Sequence, residues 1–169
     1  MRLFILAAVV ATLAAACTQM SDDLTVQTPA PPVTTSTTTI VDVPPSLAGY
    51  AVENVLVGDR ELLLAIADSP SLRRQGLQGV TDLLDLDGML FFWRHDGDTF
   101  WMKDTLIPLD IVWFNEDGTY KDRASMVPCT EDPCVTYSPA GGLDFRFAIE
   151  AKPGDLDFIN ESTVITYSD

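Results

Sequence analysis

Lys103, Asp104 and Asp110 are the charged residues of one stretch, Phe100-Trp101-Met102-Lys103-Asp104-Thr105-Leu106-Ile107-Pro108-Leu109-Asp110, whose other members are mostly apolar. A charge placed in a dry setting must find a partner or be neutralised, because a lone buried ion is costly. Pro108 forces a bend between the segment carrying Lys103 and the strand opening at Asp110. That bend is expected to bring the two charges together at the mouth of a curved sheet, with Arg74 nearby and Trp101 and Trp113 as walls. The first expectation for such a cluster is a structural ion pair that fixes the bend. The second is a site for a small polar ligand, since aromatic walls with a few placed charges are the usual build. The third is catalysis, which would need Lys103 to have a depressed pKa. No catalytic residue is assigned.

Other catalytic patterns are sparse. His95 is the one histidine and lies in a polar segment, so a Ser-His-Asp triad would depend on it alone. It reads as a solvated loop residue. No phosphate loop or dinucleotide fingerprint occurs. Asp85-Leu86-Asp87-Gly88 has the start of a calcium loop, but its glycine is misplaced and Met89 to Trp93 replace the ligand ladder. No metal site and no cofactor is expected.

The three cysteines are Cys17, Cys129 and Cys134. The last two flank Thr130-Glu131-Asp132-Pro133, and an exported context favours their oxidation. A structural disulfide closing so short a loop would contribute about 2 kcal/mol. A redox-active pair and a metal site stay open as alternatives. The spacing is not Cys-x-x-Cys, and a metal would need further ligands where only His95 is available.

Cys17 belongs to a different context. Met1-Arg2 gives a short positive end, and the apolar run from Leu3 to Ala16 suits a signal-peptide core but is too short to span a bilayer. Leu13-Ala14-Ala15-Ala16-Cys17 resembles the lipobox of bacterial lipoproteins, with alanine where leucine is usual. The resemblance implies cleavage before Cys17 and acylation of that residue, and two or three acyl chains would hold the protein to a membrane. Residues 1–16 are therefore expected to be a signal peptide. Residues 17–48 are expected to be a lipidated end and a disordered linker rich in Pro, Thr and Ser. Residues 49–169 are expected to form one folded domain. With 25 acidic and 10 basic residues the formal charge is −15, which argues against nucleic-acid binding.

The elements that must position the central stretch follow from alternation and turn chemistry. Residues 50–57 and 61–67 read as a hairpin around Gly58-Asp59-Arg60. Asp68-Ser69-Pro70 offers a cap for a short helix ending at Gly76. Residues 89–93 read as a strand buried on both faces, and 99–103 as a strand with Phe100 and Met102 on one side, Trp101 and Lys103 on the other. Residues 109–115 and 119–127 flank Asn115-Glu116-Asp117-Gly118, a strong hairpin signal. Residues 144–151 and 163–167 read as the remaining strands. The expected fold class is α+β: a curved, mostly antiparallel, partly barrel-like sheet with one or two short helices.

Taken together, Arg74-Gln75-Gly76-Leu77, Gly88-Met89-Leu90-Phe91, Phe100-Trp101-Met102-Lys103-Asp104-Thr105 with Pro108-Leu109-Asp110, and Pro128-Cys129 with Cys134 and Tyr137 resemble the domain of unknown function 192 family of bacteria and archaea. The resemblance runs from about residue 52 to 166. Gln78 stands where the family usually has methionine, and Asp104 where it usually has asparagine. The resemblance implies a compact α+β, partly barrel-like fold and supplies no reaction.

The function expected from these features is an exported, membrane-anchored lipoprotein, facing the periplasm or cell surface, with a binding or accessory role at the cell envelope. Its partners would be the membrane, through the lipid anchor, and a small polar ligand. One alternative is a small envelope enzyme using Lys103 and Asp110. Another is a protein-interaction module using the acidic surface.

Overall fold

A computed structural model describes residues 41–168. The expectations for the signal peptide, for Cys17 and for most of the linker fall outside that range.

The chain runs through a 3₁₀ turn (Pro45–Leu47), β1 (Ala51–Val57), β2 (Arg60–Ala67), α1 (Pro70–Gln75), β3 (Gly88–Phe92), β4 (Phe100–Trp101), β5 (Leu109–Phe114), β6 (Tyr120–Met126), β7 (Thr136–Tyr137), β8 (Phe147–Ala151) and β9 (Ile165–Thr166). Seven strands form one sheet in the order β6-β5-β8-β3-β2-β1-β9, and β4 pairs with β7 in a separate two-stranded ribbon. The pair β2–β3 is parallel, and the other ladders of these sheets are antiparallel. The large sheet curls until its ends approach each other. Ile165 N donates to Gly118 O (2.9 Å) and Tyr120 N to Thr163 O (3.2 Å), so the tip of the β5–β6 hairpin reaches the strand that edges the opposite side. The molecule is thus mostly β with one short α-helix, and α+β describes it only loosely.

Alternation sorts the side chains into two cores. Ala65, Met89, Phe91, Ile111, Trp113 and Ala148 pack on one face of the sheet. Val55, Leu64, Leu90, Val112, Phe114 and Ile149 pack on the other, covered by Leu156 and Ile159. The central strands β2, β3, β5 and β8 are apolar at nearly every position because both faces are covered. Edge strand β6 instead carries the charged run Lys121-Asp122-Arg123 and stays partly exposed, which discourages pairing with another chain.

The folded unit extends further toward the N terminus than residue 49. Leu47 is fully buried in the first core, Asp42 N donates to Asp85 Oδ2 (2.8 Å), and Gln75 Nε2 donates to Ser46 O (2.8 Å). The buried leucine and these two hydrogen bonds tie residues 42–47, which composition assigns to the linker, to the folded unit. The predicted strand at 99–103 is also shorter than expected. Lys103 makes only an isolated bridge to Cys129, because Asp104 turns the chain with φ 56°.

Candidate functional site

A cavity of about 560 Å³ opens on the face of the sheet that carries Ala148 and Glu150. Phe91, Trp93, Phe100 and Trp101 line it with aromatic surface. These rings brace one another: Phe91 and Phe100 meet edge-on at 5.0 Å between centroids, and Trp93 and Phe100 at 5.7 Å. The polar lining comes from three separate segments. α1 supplies Arg73 and Arg74, the loop between β3 and β4 supplies Asp96 and Asp98, and Thr105 and Thr136 belong to the segments around the β4–β7 ribbon.

The helix that carries the arginines is held at both ends. Ser69 Oγ accepts from Leu72 N, Pro70 opens the first turn, and the Gly76 N–H donates to Leu72 O. The Tyr50 hydroxyl donates to Leu72 O (2.9 Å) and Gly76 O (3.4 Å), and burial pushes its pKa up to about 12. Arg73 is committed to this scaffold. Its Nη1 donates to Asp68 O (2.6 Å) and Phe92 O (2.7 Å), and its guanidinium lies 5.2 Å from the centroid of the Trp93 ring. Burial lowers its pKa, and the charges of Asp68 and Asp98 act in the opposite direction. The Arg74 side chain is exposed and makes no hydrogen bond or ion pair with a described residue.

Glu150 is the unusual member of the site. It lies on β8, opposite Ile111 of β5 on one side and Met89 of β3 on the other, and only 5% of it is exposed. Its carboxyl lines the cavity and makes no hydrogen bond with any described residue. Burial alone raises its pKa to about 8. The buried indole Nε1 of Trp113, on the neighbouring strand, likewise has no acceptor. A buried carboxyl with a strongly displaced pKa, facing a cleft, is the physical signature of a functional group. Sequence reasoning passed over Glu150. The signal was available: it is a lone acid in Phe145-Arg146-Phe147-Ala148-Ile149-Glu150-Ala151, where alternation places it on the same side as Ala148.

Of the residues singled out from sequence, Arg74 and Trp101 line the cavity. The expected Lys103–Asp110 ion pair does not form. Lys103 Nζ pairs with Asp132 Oδ2 at 3.0 Å in an exposed position and lies 5.8 Å from the Trp101 ring centroid. The Asp132 hydrogen bond, then its charge, raise the Lys103 pKa, the reverse of what a catalytic lysine needs. Asp110 is buried elsewhere, accepting from Ser125 Oγ (2.6 Å) and Gly154 N (2.8 Å). The bend at Pro108 therefore separates the two charges, because alternation turns Asp110 onto β6 and the turn after β8. Asp104 is exposed, and its carbonyl accepts from Gly79 N (2.9 Å). Trp113 is buried beneath Phe100 in the first core, away from Lys103's exposed partner. His95 is exposed in the loop that follows β3.

Cys129 and Cys134 are joined by a disulfide, S–S 2.09 Å. Cys129 N donates to Met102 O (3.2 Å), so the bonded loop is pinned beside the segment that follows β4. Neither cysteine lines the cavity.

Comparison with known proteins agrees with this architecture. A crystal structure of a protein of unknown function from Novosphingobium aromaticivorans DSM 12444 superposes with a TM-score of 0.63 at 26% identity, covering 77% of this chain and 94% of the other. A structure of a candidate transcription regulator from Sinorhizobium meliloti 1021 gives a TM-score of 0.58 at 24% identity, covering 69% and 94%, and at that identity it speaks to the fold alone. No curated protein matches the sequence. The DUF192 family model, described as an uncharacterized ACR, matches residues 53–162, which span the cavity-forming strands from β2 to β8. The chain belongs to the DUF192 family.

Proposed function

We propose that the folded domain binds a small ligand in the Glu150 cavity, and that a lipid anchor at Cys17 holds this domain outside the cytoplasm as an envelope binding or accessory protein. The observation that carries the binding half is the unpaired Glu150 carboxyl in an aromatic-lined space of about 560 Å³. Small-molecule sites occupy roughly 300–1,000 Å³ and combine apolar walls with a few placed polar groups. The anchoring half is supported by the positive end, the apolar run and the small residues before Cys17. The linker composition beyond Cys17 supports a tether.

The enzyme alternative that joins Lys103 to Asp110 lacks its central contact, since each is engaged by other groups. Two measurements test the proposal. A thermal-shift screen of the full chain against envelope metabolites, sugars, small amines and small acids is expected to find a stabilising compound whose effect is lost in Trp101→Ala. A shift unchanged by that substitution would place the ligand elsewhere. Mass spectrometry of the native product is expected to find residue 17 as the acylated N terminus, and an unmodified Cys17 would remove the anchor.

A further inference from the structure

Three features of the cavity limit what can occupy it. The first is charge balance. Arg73 and Arg74 are matched in number by Asp96 and Asp98, and these four are the charged residues lining the space besides Glu150. β3 and β5 present only Met89, Ile111 and Trp113 beside Glu150, so the neighbouring strands add no charge. With Glu150 ionised, the lining therefore carries three carboxylates against two guanidiniums, an excess of one negative charge. The second is the wall: four aromatic residues surround the space, and aromatic faces attract cations. Two of them already do so within the fold, Trp93 with Arg73 and Trp101 with Lys103. The third is the field of the whole chain, whose net charge of −15 enriches cations and depletes anions at its surface. A metal ion is a poor fit, since no group of three or more His, Cys, Asp or Glu among the described residues is placed to hold one.

We propose that the cavity is a receptor site for a small organic monocation, a primary or quaternary ammonium whose charged head pairs with Glu150 among the aromatic rings. This deepens the ligand-binding reading above and rests on it. The carboxyl, held near 8 by burial, is protonated at neutral pH when the site holds no cation. An entering cation displaces that proton, so binding and ionisation are linked: the Glu150 O–H bond breaks, the proton goes to buffer, and the carboxylate retains the electron pair and the negative charge.

Calorimetric titration of the full chain with n-butylammonium, tetramethylammonium, n-butyrate and glucose tests the inference. Both cations are expected to bind and the other two are not. Affinity for tetramethylammonium, which does not titrate, is expected to rise by up to about tenfold per pH unit from about pH 6 and to level off above about pH 8. Heats measured at about pH 6.5 in buffers of different ionisation enthalpy are expected to report close to one proton released. Glu150→Gln is expected to weaken cation binding by more than about tenfold with an unchanged near-ultraviolet circular dichroism spectrum. Should that variant fail to fold, the pH slope and proton release of the unaltered protein decide the matter by themselves. Cation binding that is flat with pH, or equal in Glu150→Gln, overturns the inference. Butyrate or glucose binding, lost in Trp101→Ala while the cations do not bind, overturns it and leaves the cavity as a ligand site. No binding by any of the four overturns the inference, and the broader screen then decides the ligand-binding reading separately.

Discussion

Glu150 and Trp113 stand on adjacent strands of one sheet face, a single diagonal step apart: Trp113 pairs across with Ala148, and Ile111 pairs across with Glu150. Among the described residues, one is a buried acid without a donor and the other a buried indole N–H without an acceptor. Two complementary groups left unanswered so close together mark the place in the core where packing has not been optimised for stability alone.

The pH dependence of stability follows from this carboxyl. Folding raises its pKa from 4.5 to about 8, so the folded state holds the proton more tightly than the unfolded chain between those values. Stability is therefore present below the unfolded value, declines as pH rises through that window and is flat above it. The decline is on the order of 5 kcal/mol at about 1.36 kcal/mol per unit. Urea unfolding of the native chain and of Glu150→Gln across that range should show the difference between them growing with pH in favour of the variant. A constant difference would mean that Glu150 does not titrate as its burial implies.

Gly88 sets the distance between β3 and β8. A Cβ built there would lie 2.2 Å from the Glu150 carbonyl oxygen, which is backbone and cannot swing aside. Gly88→Ala is expected to force the strands apart and cost about 1–3 kcal/mol by chemical denaturation. It should also displace Glu150 and weaken any ligand held in the cavity.

Lys103 and Asp110 should behave oppositely. The Lys103–Asp132 pair is 38% and 67% exposed at its two side chains, and an exposed pair contributes under about 1 kcal/mol. Lys103→Met should leave both stability and ligand binding nearly unchanged. Asp110→Ala should cost about 1–3 kcal/mol, because it strips a buried acceptor from Ser125 Oγ and Gly154 N. Thermal melts of the two variants side by side give the comparison.

Reduction of Cys129–Cys134 releases a loop with a sequence separation of 5. The chain-entropy model gives a loss of about 2 kcal/mol. Since neither cysteine lines the cavity, ligand binding should survive reduction at temperatures where the fold does. Melting curves with and without a reductant, followed by a binding titration of the reduced protein, check both halves.

Local chemistry was sufficient to place the hairpins and the helix. Gly58-Asp59 and Asp117-Gly118 fix tight turns, Ser69-Pro70 caps α1, and the apolar run of β3 requires a position with both faces covered. The disulfide was legible because two cysteines share one short loop. Arg74 and Trp101 were also recognisable as members of a polar-aromatic cluster.

What that cluster gathers around was decided by tertiary structure. Sequence proximity suggested that Lys103 meets Asp110, yet strand alternation and the bend at Pro108 send Asp110 to Ser125 and Gly154, while the disulfide loop brings Asp132 to Lys103. Glu150 follows Asp110 by some forty residues in the chain and joins α1 and β4 only because β8 inserts between β5 and β3. Periodicity assigns a residue to a face of its own strand, but strand order decides what that face meets. The sequence by itself therefore determined the longer strands, their tight turns and the residues able to carry charge, whereas the order of the strands in the sheet determined which charge was buried and left facing a cavity.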